Sequence, residues 1–215
     1  MDVTILIAVI GAFVTALGWL VTYLLTDAFE KHRRRLMYQT KFIRQQLNEL
    51  YGPLAFLLLE GRQTFQALVD TLGRNHLIDS DVDSFSEQEL KAWLFWVDAD
   101  FFPRNEKIKQ LLAKRTHLIE GAEVPPSYLI FLDHYNSWKI SHERWIKEGI
   151  AYGWHSKINW PDQFEKDVLA TFQELKQRHA RLMGLMENTR SFSVRLDSVG
   201  EFKNEPHSER KFLRF

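Results

Sequence analysis

The 215-residue chain has no cysteine. That single absence excludes disulfides, iron–sulfur clusters, thiolate zinc sites and cysteine nucleophiles. Net charge is absent as well, since 28 Lys and Arg balance 28 Asp and Glu. A dedicated nucleic-acid binder carries a basic excess or a basic face, so no sequence-specific nucleic-acid partner is expected. With 10 glycines and 6 prolines, the chain is neither collagen-like nor of low complexity. No stretch alternates apolar and polar residues for long enough to form a strand, and no repeat recurs at solenoid spacing.

The usual signatures of catalysis are missing too. There is no phosphate-binding loop and no Gly-x-Gly-x-x-Gly. The nucleophile elbow Gly-x-Ser-x-Gly is absent. His142-Glu143 begins a zinc pair, but Ile146 stands where the second His belongs. Asp79, Asp81 and Asp83 start like a calcium loop, yet Ser84 and Leu90 occupy the positions that need Gly and Glu. No His follows an Arg at the four-to-six-residue spacing of HEPN-type ribonucleases. Neither a metal nor a cofactor is expected.

What the chain does have is one long apolar run. Val3 to Leu25 reads VTILIAVIGAFVTALGWLVTYLL, 23 residues without a charge. As a helix it spans about 35 Å at ~1.5 Å per residue, enough for a ~30 Å hydrocarbon layer. A cleaved signal peptide has a shorter apolar stretch and places its positive charge before it. Here Lys31, Arg33, Arg34 and Arg35 follow the run. Basic flanks stay cytoplasmic, so the expectation is a single pass through the inner (plasma) membrane, N-terminus outside and C-terminal part in the cytosol. The same four basic residues can face anionic lipid. Thr4, Ala8, Gly11, Thr15, Gly18 and Thr22 form a stripe of small residues at intervals of four and three, which lets two such helices approach closely. A homo-oligomer is expected on that ground.

Beyond the span, Phe29, Leu36, Ile43 and Leu50 recur every seven residues and predict an amphipathic continuation of the helix. Tyr51-Gly52-Pro53 predicts a break and a second helix from Pro53 to about Leu72, closed by Gly73. Ser86 and Glu89 form a capping box for a third helix that ends before Pro103. Asn105 reads as the cap of a fourth, short helix. A fifth covers about Ser127–Lys147, and a last one starts after Pro161 with Phe164, Val168, Phe172 and Leu175 on one stripe. The fold expected is therefore all-α, a transmembrane helix (1–25) continuing into a cytosolic bundle of about five helices (26–187), with a loosely ordered tail (188–215).

The residues richest in chemistry are Asp133, His134, Trp138, His142 and Glu143. His134, Trp138 and His142 lie four apart, on one strip of a helix. Two His residues eight apart are about 12 Å apart along the axis and cannot share one metal. Asp133, His134, Trp138 and His142 with Trp154, His155 and Trp160 make a candidate groove. With no catalytic set complete, a non-enzymatic scaffold, adaptor or effector that meets a protein partner in the cytosol is the leading expectation. The alternative is a membrane-tethered hydrolase or nuclease using His134, His142 and nearby carboxylates.

The segments YGPL (51–54), FFPRNEKI (101–108), PPSYLIFLDH (125–134) and WHSKINWP (154–161) resemble a recurrent pattern in bacterial single-pass membrane proteins with a helical cytosolic domain. That resemblance implies the architecture above and brings no catalytic residues. The architecture is also similar to that of membrane-anchored accessory or effector proteins of antiphage systems, which implies an oligomeric membrane assembly in phage defence.

The basic flank yields a direct prediction. A reporter fused after Phe215 should be active only in the cytoplasm, and activity on the far side of the membrane would reverse the orientation.

Overall fold

The computed structural model describes the backbone of residues 2–74, 82 and 84–201 and no side chains at 4, 8, 9 and 188–201. Asp79, Asp81 and Asp83 and the tail beyond Glu201 lie outside the described residues. Among the described residues all regular structure is helical and no strand occurs. The elements are α1 (Val3–Gln46), α2 (Gly52–Thr71), α3 (Glu87–Trp96), α4 (Phe102–Lys114), α5 (Pro126–Glu148) and α6 (Asp162–Glu201).

The helix count differs from the expectation of one span plus five, and the reason is the prolines. Pro53 and Pro103 do not separate helices. A five-residue π turn, Leu47–Tyr51, joins α1 to α2, and another, Val97–Phe101, joins α3 to α4. Among the described residues the elements therefore form four helical rods. A proline inside an α-helix removes a backbone donor, and its ring strikes the carbonyl four residues back. A wider turn relieves that clash. In both places the bond that closes the turn spans five residues, Gly52 N–H to the Leu47 carbonyl and Phe102 N–H to the Val97 carbonyl. Gly52 is needed here for space, because a Cβ on it would lie 2.5 Å from the Leu47 oxygen. The expected cap at Asn105 is likewise corrected. Asn105 lies inside α4 and is buried.

Other local signals hold. Ser86 and Glu89 form both bonds of the capping box at the start of α3. Arg74 adds two bonds to Glu89 (3.1 and 2.8 Å), and together these partners, the Ser86 backbone N–H first, hold the Glu89 carboxyl down at about 2. Gly149 ends α5 in the left-handed conformation, φ +72°.

The chain divides into two compact units, residues 1–42 with 179–215, and residues 43–178. In the first, Leu36 and Thr40 of α1 are buried, and Thr40 Oγ1 meets the Met186 sulfur of α6 at 3.4 Å. The second holds the core. Phe131 stacks on Phe164 with centroids 4.5 Å apart, and Tyr128 packs edge-on against Phe164 at 5.1 Å. The first π turn contributes buried Leu50 and Tyr51, whose hydroxyl accepts the Glu120 backbone N–H at 2.8 Å. A second cluster gathers Leu68, Val69, Trp93, Val97, Phe101 and Trp138.

Glu106 ties α4 to α5. Its Oε2 accepts from the Tyr135 hydroxyl at 2.6 Å and from Lys139 Nζ at 2.9 Å. Those two bonds, in that order, and one from Gln110 hold its carboxyl at about 2. Burial, and then the bond to Glu106, push the Tyr135 hydroxyl up to about 12.

Two predictions follow from these joints. Gly52→Ala should destabilise the chain by on the order of 2 kcal/mol, since the added methyl meets backbone. A melting temperature equal to wild type would mean that the turn can relax. Glu106 is lowered in the folded state, so its contribution is complete above the ordinary value of 4.5 and fades as pH falls toward about 2. Its partial exposure limits the contribution to about 1–2 kcal/mol. Glu106→Gln should flatten the acid limb of a urea-midpoint profile, and an unchanged limb would place the acid sensitivity elsewhere.

Candidate functional site

The second π turn faces two ways. One carboxylate, Asp100, lies on the α2 side, where it pairs with Arg104 and accepts from Thr64 Oγ1 at 2.9 Å. Arg104 also donates to Thr64 at 2.7 Å and lies over the Phe101 ring at 5.5 Å. This guanidinium is buried because Gly61 leaves room for it. A Cβ at Gly61 would come within 2.8 Å of its Nε. The other carboxylate, Asp98, accepts from His142 Nε2 at 2.9 Å. Since Asp98 can only accept, Nε2 carries a proton, and in the neutral ring Nδ1 takes the Tyr152 O–H at 2.6 Å. Burial pushes the Tyr152 hydroxyl well above the usual phenol range, so it keeps its proton.

The loop from 150 to 161 is riveted to α5 and to α3 by further bonds. His134 Nδ1 donates to the Ile158 carbonyl at 2.5 Å, and Ser156 Oγ donates to the His134 carbonyl at 3.0 Å. The Trp93 indole N–H bonds the Trp154 carbonyl at 2.8 Å. Trp154 sits at φ +62°, an uncommon conformation for a side-chain-bearing residue, held by these contacts.

Between α2, α4, α5, the loop and the start of α6 lies a cavity of about 550 Å³. That volume falls within the range of small-molecule sites. Leu57, Leu58 and Phe65 line it from α2, and Ile108 from α4. Trp93, Phe101, Trp138 and Trp160 add aromatic walls. The polar lining comes from Arg104, Asn105, His134 and Asn159, with Arg62, Asp162, Glu165 and Lys166 contributed by α2 and α6. Arg62 is paired with Glu165.

The groove drawn from sequence is divided in the structure. His134, Trp138 and Trp160 line the cavity. His142 does not. It is buried against Phe102, with ring centroids 5.0 Å apart, and against Trp145. Asp133 is exposed to solvent. Trp154 packs edge-on against Trp145 at 4.9 Å, and His155 bonds the adjacent Ser156 carbonyl at 2.7 Å. The two imidazoles thus serve separate networks. Among the described residues no group of three His or carboxylate side chains could hold a metal ion. Sequence reasoning missed Gly61, Arg104 and Asn105, and α2 contributed no residue to the expected groove. Both π turns end on an aromatic two residues before a proline, Tyr51 before Pro53 and Phe101 before Pro103.

No family model, no curated protein and no solved structure matches this chain.

The Asp100–Arg104 pair is the most exacting contact at the cavity. Removing one partner of a buried pair leaves the other charge uncompensated, at a cost of about 3–5 kcal/mol. Asp100→Ala should lower stability by an amount near that range, while Thr64→Val should cost only about 1 kcal/mol. Equal, small effects in urea unfolding would mean that the guanidinium is solvated.

Proposed function

We propose that the chain is a single-pass membrane protein that self-associates through its span and presents its helical unit to a cytosolic protein partner, as scaffold, adaptor or effector of a membrane assembly. The observation that carries this is the bare apolar length of α1. This helix near the N-terminus is long and apolar enough to cross a membrane. Every side chain described from Ile5 to Leu25 is exposed. Burying a large aliphatic side chain is worth about 1.5–3 kcal/mol, so leaving that surface in water costs tens of kcal/mol. Lipid removes the cost.

The flank supports the orientation. Lys31 pairs with Asp27 at 2.7 Å and Arg33 with Glu30 at 3.5 Å, both on the exposed surface. Arg34 and Arg35 are exposed beside them. In this reading the four basic residues lie at the inner headgroups and the helical unit in the cytosol.

The small-residue stripe supports self-association. Thr15 Oγ1 bonds back to the Gly11 carbonyl at 2.9 Å, and Thr22 Oγ1 to the Gly18 carbonyl at 2.8 Å. The hydroxyls are thereby satisfied within one helix, as a hydrocarbon environment requires. A Cβ added at Gly11 or Gly18 meets nothing within 4 Å, so the strip lies open. The side chains of Thr4 and Ala8 lie outside the described residues.

Gly11→Leu with Gly18→Leu tests this reading. The added side chains clash with nothing in one chain, so helical content and membrane insertion should be unchanged. They should separate neighbouring spans, because helices associate in lipid through close packing. Crosslinked oligomer should disappear. Unchanged crosslinking would mean that the stripe faces lipid and would remove the support for self-association there.

A further inference from the structure

Two polar groups in the lining of the cavity described above have no partner among the described residues, the Asn105 Oδ1 and the Trp138 indole N–H. Asn105 is 3 % exposed, and its Oδ1 has no hydrogen-bond partner among the described residues. A buried polar group without a partner is costly, and its retention calls for an explanation. Asn105 lines the cavity, where a bound molecule can supply the missing donor.

Three properties restrict what that molecule is. The walls are aromatic, with Trp93, Trp138 and Trp160 all in the lining, so they favour a flat body with π faces. The charges cancel. Arg104 is paired with Asp100 and Arg62 with Glu165, while the lining holds one further cation, Lys166, and one further anion, Asp162. An uncharged ligand body suits that balance better than a polyphosphate. Finally, a carboxamide offers one acceptor beside one donor, and the adenine edge is one bidentate complement of it. The N6 amino group donates to Oδ1, and N7 accepts from Nδ2.

We propose that this cavity is a binding site for a purine nucleoside with a 6-amino group, adenosine being the simplest, with Asn105 reading the base and the tryptophans holding its faces. The site lies wholly within residues 43–178, so it does not depend on how the chain is anchored.

Calorimetry on the full chain in detergent, with adenosine and inosine as probes, tests the proposal. Inosine places the O6 acceptor where adenosine has its amino donor, so on the N7 edge it leaves the Asn105 Oδ1 without a donor. Saturable one-to-one binding of adenosine is expected, with inosine at least about tenfold weaker. Asn105→Leu, close in volume and apolar, should abolish adenosine binding while the ligand-free melting temperature stays equal or rises. A merely structural asparagine would instead lose stability on that substitution. No saturable adenosine binding, equal binding of adenosine and inosine, or undiminished binding by the folded variant would each overturn the proposal. The nucleoside comparison uses only the wild-type chain, so it decides the matter even if the variant does not fold.

Discussion

Two prolines inside helical rods set the terms for the rest of this structure. Each would remove a backbone bond and strike a carbonyl in a regular α-helix. Each is instead preceded by a turn one residue wider, closed by a bond across five residues. The widening keeps the rods continuous and changes the facing of the residues beyond it. Within Val97–Phe101 the turn directs Asp98 to His142 and Asp100 to Arg104, while Phe101 enters the aromatic cluster. Within Leu47–Tyr51 it buries Leu50 and lets Tyr51 hold the Glu120 backbone. π turns are often found at functional sites. Here one of them supplies Phe101 to the cavity wall and Asp100 to the guanidinium that completes it.

Buried polar groups in this chain are mostly committed to structure. His134 fastens the 150–161 loop, and His142 joins that loop to the second π turn. Arg104 is held on three sides, by Asp100, Thr64 and the Phe101 ring, over the space left by Gly61. Against that background the unpaired oxygen of Asn105 and the unpaired indole N–H of Trp138 are the exceptions at the cavity. A site is more readily recognised by the group the fold leaves unused than by the groups richest in chemistry.

Much of the helical architecture is legible in the sequence, for local reasons. The heptad Phe29, Leu36, Ile43 and Leu50 turns inward, with the last three buried. The capping box at Ser86 forms as written, and α5 begins and ends within one residue of its expected limits. The prolines misled because their usual effect is to end a helix, and a π turn has no strong composition of its own. That misreading propagated. A helix thought to begin after Pro103 makes Asn105 a cap, since asparagine is favoured there. In a continuous rod the same residue is interior and faces the cavity. The groove is divided for a related reason. Four-residue spacing places His134, Trp138 and His142 on one strip, but which neighbours cover each part of that strip is decided by tertiary packing. Gly61 in particular carries no local signal. Its role appears only when Arg104 arrives from another helix.

The remaining constraint is the uncovered length of α1. The helical unit formed by residues 43–178 buries its own core, whereas the described side chains from Ile5 to Leu25 are exposed. In the proposed single-pass arrangement lipid covers them. Alkaline carbonate washing of membranes from cells producing the chain tests this most directly, because it strips peripheral proteins and leaves spanning helices in place. The full chain should remain in the membrane pellet. Its release into the supernatant would show that α1 does not span the bilayer and would contradict the account at its centre.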